Sequence, residues 1–298
     1  MSRPEYLQIG DKIGIVASAR KVSPLELKEA IDIFTHWGLE SVLGKNIFNE
    51  YHQFAGTDDE RLKDLQTMLD DEHIKAISFA RGGYGTVRIL DRIDWSTFVK
   101  KPKWLIGFSD ITVIHSFVSQ NLGIESIHAI MPLNFDTATN EAIISLRKCL
   151  FGNSIAYEIN SHPFNRKGSA KAPLVGGNLS MIHTLAGSNA DIHTDGKILF
   201  IEDLDEYLYH VDRMLLNMRR SGKLSNIAGL IVGGMTIMND NTIPFGKKAY
   251  EIIKEHTDEF DYPVCFGFPA GHFPDNRALI IGRDVCLNVG EKVSLVFD

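Results

Sequence analysis

Apolar residues along this chain follow two alternating rhythms, short unbroken runs and runs spaced three to four positions apart. The unbroken runs "KIGIVASA" (12–19), "IKAISFA" (74–80) and Trp104 to Ile106 predict buried strands. Between them, "SPLELKEAIDIFTHWG" (23–38) predicts a helix with Ser23 as N-cap, Pro24 at the first helical position and Gly38 at the exit. Thr57 and Glu60 stand in capping-box spacing ahead of a second helical pattern in "GTDDERLKDLQTMLDD". After "GFSD" the period returns, with Ile111, Ile114, His115 and Val118 on one helical face, so Ser109 stands at a sharp strand-to-helix turn. Strands alternating with helices imply parallel pairing with helices on both faces. The first half therefore reads as an α/β layer of Rossmann-like or flavodoxin-like type.

The pattern weakens between about residues 134 and 172, where "FGNSIAYEINSHPFNRKGSAKAP" predicts irregular chain with one strand at most. This places an interdomain connection at 151–172, between an N-terminal domain over 1–150 and a smaller C-terminal α/β domain over 173–298. In the latter, "LVGGNLSMIHTLAGS" predicts a glycine-rich turn into a helix and "KILFIEDLDE" a strand ending in acids. "YHVDRMLLNMRRSG" predicts a helix and "IAGLIVGGM" a buried strand, while the C-terminal stretch alternates like a β-hairpin around Gly290.

At 298 residues and 44% hydrophobic content the chain has ample material for a core. Thirty-one basic residues against 38 acidic ones give a net charge of −7, and no Lys/Arg block is present to neutralise a row of phosphates, so nucleic acid is not an expected partner. Cys149, Cys265 and Cys286 are odd in number and widely separated, which suggests buried thiols rather than a disulfide framework or a zinc site. The N-terminus lacks the apolar core of a secretory signal, and no apolar run approaches the roughly 20 residues needed to cross a bilayer. The expected location is the cytoplasm, with no membrane partner.

Ligand sites in parallel α/β sheets form beyond the carboxyl ends of strands. Three reactive groups stand at such ends: Ser109, Glu202 after "KILFI", and His272 after "PVCFGFPAG". A nucleophilic serine needs a base within reach, and the base needs a carboxylate to fix its tautomer. The turn around Ser109 matches the nucleophile elbow G-x-S-x-G except that Ile111 replaces the second glycine; a serine or aspartate opening a helix also serves simply as a cap. "ARGGYGT" (80–86) is neither a dinucleotide fingerprint nor a phosphate loop, yet its amides at a strand end are candidate oxyanion donors. Beside it Arg81 offers a planar fork for a substrate carboxylate, with a surface ion pair as the competing role. Glu202, Asp203, Asp205 and Glu206 cluster as a hard cation's ligands would, but without the glycine and alternation of a calcium loop and with no HExxH in the chain, so no metal or other cofactor is expected.

"ARGGYGTVRIL", "IGFSDIT", "GGNLSMI", "LFIEDLDEYLYHVDRML" and "GHFPDN", in this order, resemble the LD-carboxypeptidase family of serine peptidases, which also contains the microcin C self-immunity proteins. The resemblance runs over essentially the whole chain. It implies two α/β-type domains, the first carrying the serine and the second the glutamate and histidine. It implies cleavage of an amide between an L-centre and a D-amino acid, typically the terminal D-alanine of a murein tetrapeptide, in the cytoplasm during cell-wall recycling. By the same resemblance Ser109 is the nucleophile, Glu202 the triad carboxylate and His272 the general base, with the backbone N–H groups of Asp110 and Gly83 as the oxyanion hole. Family members commonly form dimers, which implies a homodimer.

Arg81, Asp203 and Glu206 are the candidates for reading the D-amino acid, through charge complementarity to its two ends, and Gly82 is a further substrate-binding candidate. Two other readings stand beside this one. Hydrolysis of a peptidyl or acyl-sulfamoyl adenylate would use the same triad and add a surface for a nucleobase, for which no loop stands out. A non-catalytic binder of cell-wall peptides or nucleotides would need only the glycine-rich turn.

Overall fold

The computed structural model describes residues Met1–Asp298. Its first sheet begins with β1 (Lys12–Val16), β2 (Glu40–Leu43), β3 (Ile74–Phe79), β4 (Trp104–Gly107) and β5 (Ser126–His128), and all pairings among these strands are parallel. The crossovers carry the helices that the pattern predicts. In α1 (Pro24–His36) Leu27, Ala30 and Phe34 are buried against the sheet, and the Ser23 N–H donates to Glu26 Oε2 at 2.7 Å. In α2 (Asp58–Asp70) the reciprocal bonds of Thr57 and Glu60 close the first turn. A short α3 (Ser96–Lys100) precedes β4. After β4 comes a 3₁₀ turn over Ser109–Ile111, then α4 (Thr112–Phe117), which widens into a π turn over Val118–Leu122. Its inward face is the expected one, for Ile111, Ile114, His115 and Val118 are all fully buried.

The weakly patterned region holds more structure than the sequence suggests. Thr139 caps α5 (Asn140–Leu150), whose buried residues include Ala142, Leu146 and Leu150. The 151–172 stretch then contains β6 (Ala156–Asn160) and the start of β7 (Gly168–Asn178), both in the second sheet. That sheet continues, after α6 (Leu179–Thr184), through β8 (Ile198–Leu204), α7 (Leu208–Arg220), β9 (Gly229–Thr236), α8 (Ala249–Thr257) and β10 (Val264–Phe266). Next, β11 (Leu279–Ile281) leaves it and pairs antiparallel with β5 on the edge of the first sheet. The chain returns to the second sheet as β12 (Asp284–Val289) and β13 (Lys292–Phe297), the hairpin foreseen around Gly290.

The first sheet has six strands in the order β11-β5-β4-β3-β1-β2, and the second has seven in the order β10-β9-β8-β7-β12-β13-β6. The second sheet is the wider of the two, although the sequence suggests a smaller C-terminal domain. Its β7 to β10 half is parallel and its β12, β13 and β6 half antiparallel, so the parallel half repeats the βαβ logic of the first lobe. One continuous apolar cluster joins the lobes, drawing Ile15, Trp104 and Ile127 from the first sheet and Leu174, Phe200 and Leu287 from the second. No helix is long and apolar enough to cross a membrane.

Where β11 hands the chain back to β12, Arg283 is buried against Glu125, which precedes β5; Arg283 Nη2 lies 2.5 Å and Nε 3.1 Å from Glu125 Oε2. A buried pair of this kind contributes little net stability, but removing one partner strands the other's charge. We expect Arg283→Ala to cost about 3–5 kcal/mol in urea unfolding, and the double change Arg283→Met with Glu125→Met to cost far less. A loss below about 1 kcal/mol in the single variant would mean that Arg3, whose Nε already lies 3.5 Å from Glu125 Oε2, holds the carboxylate when Arg283 is gone.

Candidate active site

Ser109 follows the fully buried β4. Phe108 is still extended, and Ser109 then turns to a left-handed φ of 61° as the first residue of the 3₁₀ turn. A residue with a Cβ pays on the order of 1–3 kcal/mol to sit there, and such strain collects at functional turns. The geometry is that of a nucleophile elbow, even with Ile111 in place of the second glycine. The "GGYG" turn after β3 lies directly against it, because a Cβ built on Gly82 would stand 3.2 Å from Ser109 Cβ and 3.4 Å from Oγ. The Asp110 carboxylate, buried, ties the turn to the elbow by accepting the Thr86 N–H at 2.9 Å, while burial raises its pKa. His115, in the same helix, is a core residue: its ring bonds Ser126 Oγ and the Gly107 carbonyl, each at 2.8 Å, and burial lowers its pKa to about 4.

Glu202 comes from β8, at a point where the pairing with β9 shifts register between Ile201 and Asp203. Such a bulge re-aims a side chain out of the sheet's alternation. The carboxylate is fully buried, and its Oε2 lies 2.7 Å from His272 Nδ1. His272 sits on the loop after β10, which is pinned at Gly234 N–H to the Ala270 carbonyl (2.9 Å) and at Gly271 N–H to Asn276 Oδ1 (2.8 Å). With Nδ1–H donating to Glu202, Nε2 carries the lone pair a general base needs. Burial disfavours the imidazolium, but the Glu202 charge, its hydrogen bond and nearby Asp203 outweigh that, so the His272 pKa lies above the usual value. The ring centroid of Phe108 is 4.8 Å from that of His272, which brings the residue before Ser109 into contact with the imidazole. No hydrogen bond joins Ser109 to His272; a bond between nucleophile and base often tightens only in the substrate complex.

The other expected residues divide. Gly83 lies in the same turn at φ 117°, with the Arg20 side chain folded against it. Arg81 is half-buried and donates from Nη1 to the Lys21 carbonyl at 3.0 Å. Glu206 is partly exposed and paired with His210 Nδ1 at 2.8 Å. Asp203 is turned into the fold: it is buried, and its oxygens accept from Asn178 Nδ2 (2.9 Å), Ser180 N–H (2.9 Å) and Leu204 N–H (2.8 Å). Burial and the neighbouring Glu202 push its pKa up to about 7. Arg20, just past β1, stands against the glycine-rich turn although nothing in the motifs singled it out, while Phe108 and Asn276 lie inside the quoted motifs "IGFSDIT" and "GHFPDN". A cavity of about 250 Å³ opens beside His272, lined by Phe108, Asn134, Thr137, Leu204 and Asn276 among others.

Comparison with known proteins bears on this arrangement. The profile of the LD-carboxypeptidase N-terminal domain matches residues 13–129, and that of the LD-carboxypeptidase C-terminal domain matches residues 171–287. The chain belongs to the LD-carboxypeptidase family. Among relatives of this carboxypeptidase, the probable murein peptide carboxypeptidase of Bacillus subtilis (strain 168) is 34% identical, over 99% of this chain and 94% of its own. The crystal structure of muramoyltetrapeptide carboxypeptidase from Oxalobacter formigenes superposes with a TM-score of 0.87 at 26% identity, covering 96% of this chain and 98% of that one. The microcin C7 self immunity protein MccF in complex with aspartyl sulfamoyl adenosine superposes with a TM-score of 0.88 at 19% identity, over 99% and 98% of the two chains, a likeness of fold.

Gly271, next to His272, is tightly constrained. At φ 125° its backbone disfavours any side chain, and a Cβ there would stand 2.9 Å from Glu202 Oε2. Gly271→Ala is therefore expected to lower stability by about 1–3 kcal/mol in thermal unfolding. Unchanged stability would show that the loop can carry the histidine by another path.

Proposed function

We propose that this LD-carboxypeptidase cleaves the amide between an L-centre and a terminal D-amino acid of a murein tetrapeptide, releasing D-alanine, through Ser109, His272 and Glu202. The observation that carries this reading is the 2.7 Å bond from His272 to a fully buried Glu202, beside a serine held in a left-handed turn. Ser109 Oγ attacks the carbonyl carbon of the L-centre as His272 Nε2 takes the hydroxyl proton. The oxyanion rests on the Asp110 and Gly83 N–H groups, each such donor contributing about 3–4 kcal/mol. His272 returns the proton to the leaving nitrogen, the C–N bond breaks, and water then attacks the Ser109 ester by the same steps.

The cavity beside His272 suits the leaving residue, since its volume of about 250 Å³ fits a small side chain. Arg81, with Arg20 next to it, supplies positive charge for the terminal carboxylate, and Glu206 negative charge for an ammonium. We place the reaction in the cytoplasm, in a homodimer acting on recycled wall peptides. The names of the Bacillus subtilis and Oxalobacter formigenes proteins support the substrate class. A second reading, hydrolysis of a peptidyl adenylate, draws support from the fold shared with MccF and from exposed Tyr207 and Tyr209 just beyond Glu206, whose rings lie 5.7 Å apart as an aromatic face for a base.

Mass analysis of products from a murein tetrapeptide, with a D,D-linked peptide as control, tests the proposal: free D-alanine from the first alone is expected, and turnover of a peptidyl adenylate without D-alanine release would favour the second reading. Ser109→Ala should lower kcat by as much as about 10⁶ with folding intact, and wild-type turnover in it would remove Ser109 from the scheme. Because the base must be neutral and its pKa is raised, kcat/KM should climb with pH along an acid limb centred above about 6.5. Glu202→Gln takes away the charge that holds the proton, so the limb should move to lower pH while kcat falls by up to about 10⁴. A limb that stayed in place would mean that Glu202 does not govern the imidazole.

A further inference from the structure

The "GGNLS" stretch has no part in the chemistry above, yet it lies at the join between the lobes. There β7 ends against the first turn of α4, and Thr112, three residues after Ser109, accepts the Asn178 N–H on its Oγ at 3.0 Å. Gly177, at φ 144°, makes this approach possible: a Cβ on it would stand 2.5 Å from Thr112 Oγ1. Asn178 turns its amide group two ways. Its Oδ1 accepts from Ser180 Oγ at 2.7 Å and Met181 N–H at 3.2 Å, opening α6, and its Nδ2 donates to Asp203 Oδ1 at 2.9 Å. Asp203 is the chain neighbour of Glu202, which holds His272. Thr112, Asn178, Asp203 and Glu202 are all buried. A path of one helical turn and buried hydrogen bonds thus runs from Ser109 through Thr112, Asn178, Asp203 and Glu202 to His272.

We propose that Thr112, Asn178 and Asp203 are positioning residues, a strut that sets the nucleophile's helix against the strand carrying Glu202. The inference rests on the Ser109–His272–Glu202 reading. Apolar packing between the lobes is non-directional and tolerates sliding, whereas a buried N–H to O–H bond is directional and costly to break. A misplacement of about 1 Å between reacting groups costs on the order of 10²-fold in rate. The strut therefore acts on kcat rather than on substrate affinity.

Thr112→Val keeps the side chain's shape and removes the acceptor, while Thr112→Ser keeps the oxygen. In the full-length enzyme with a murein tetrapeptide, Thr112→Val should lower kcat about 10- to 100-fold with KM within about twofold, and should slow fluorophosphonate labelling of Ser109 by a similar factor. Thr112→Ser should retain both within about threefold. If Thr112→Val does not fold, Asp203→Asn, which sets an amide donor against donors, is read by the same kcat and labelling criteria. Wild-type kcat and labelling in the folded variant would overturn the strut alone, as would an equal loss in Thr112→Ser. Absence of labelling in the wild type would overturn the triad reading and the strut with it.

Discussion

A serine held at φ 61° at the end of a buried strand is the constraint on which the site depends. The conformation is unfavourable for any residue with a Cβ, so the surroundings must enforce it. Here they do so from both sides: β4 is fully buried and fixes the chain before Ser109, and the helix after it is anchored by His115 to Ser126 and to the Gly107 carbonyl. A neutral, buried imidazole makes a durable anchor because it is spent on two hydrogen bonds and carries no charge to desolvate. The strained turn leaves the hydroxyl above the sheet, with the glycine-rich turn against it.

Neither lobe contains the whole arrangement. The serine belongs to the first sheet, the carboxylate to a bulge in the second, and the histidine to a loop that the second sheet pins by backbone bonds. In the proposed mechanism, that division makes the relative placement of the lobes part of the chemistry. Three kinds of contact supply it: the shared apolar cluster, the return of β11 to the first sheet with its buried Arg283–Glu125 pair, and the hydrogen bonds around Asn178. Burial of apolar area gives the adhesion, and the directional bonds give the register.

Much of this was legible in the sequence, for local reasons. Caps at Ser23 and Thr57, the run at 104–106 and the helical spacing after it are decided within a few residues, and the structure has them as the pattern predicts. Family motifs carried the pairing of Glu202 with His272, 70 positions apart, which spacing alone could not. The rest was non-local or weakly patterned. Two short strands, β2 and β5, are too brief for periodicity to register, and β11 joins a sheet whose other strands lie more than 100 residues earlier. Asp203 misled because an acid in a run of acids reads as solvated or ligand-binding, whereas burial beneath Asn178 and Ser180 makes it scaffold.

For the proposed hydrolysis, Ser109 and His272, from different lobes, must meet over one scissile bond. A crystal structure of the enzyme bearing a phosphonate analogue of an L,D-dipeptide measures this directly. Phosphorus is expected on Ser109 Oγ, with His272 Nε2 within about 2.6–3.2 Å of that oxygen or of the leaving-group position. A phosphonate bonded to another residue, or an imidazole turned away from a modified Ser109, would contradict it.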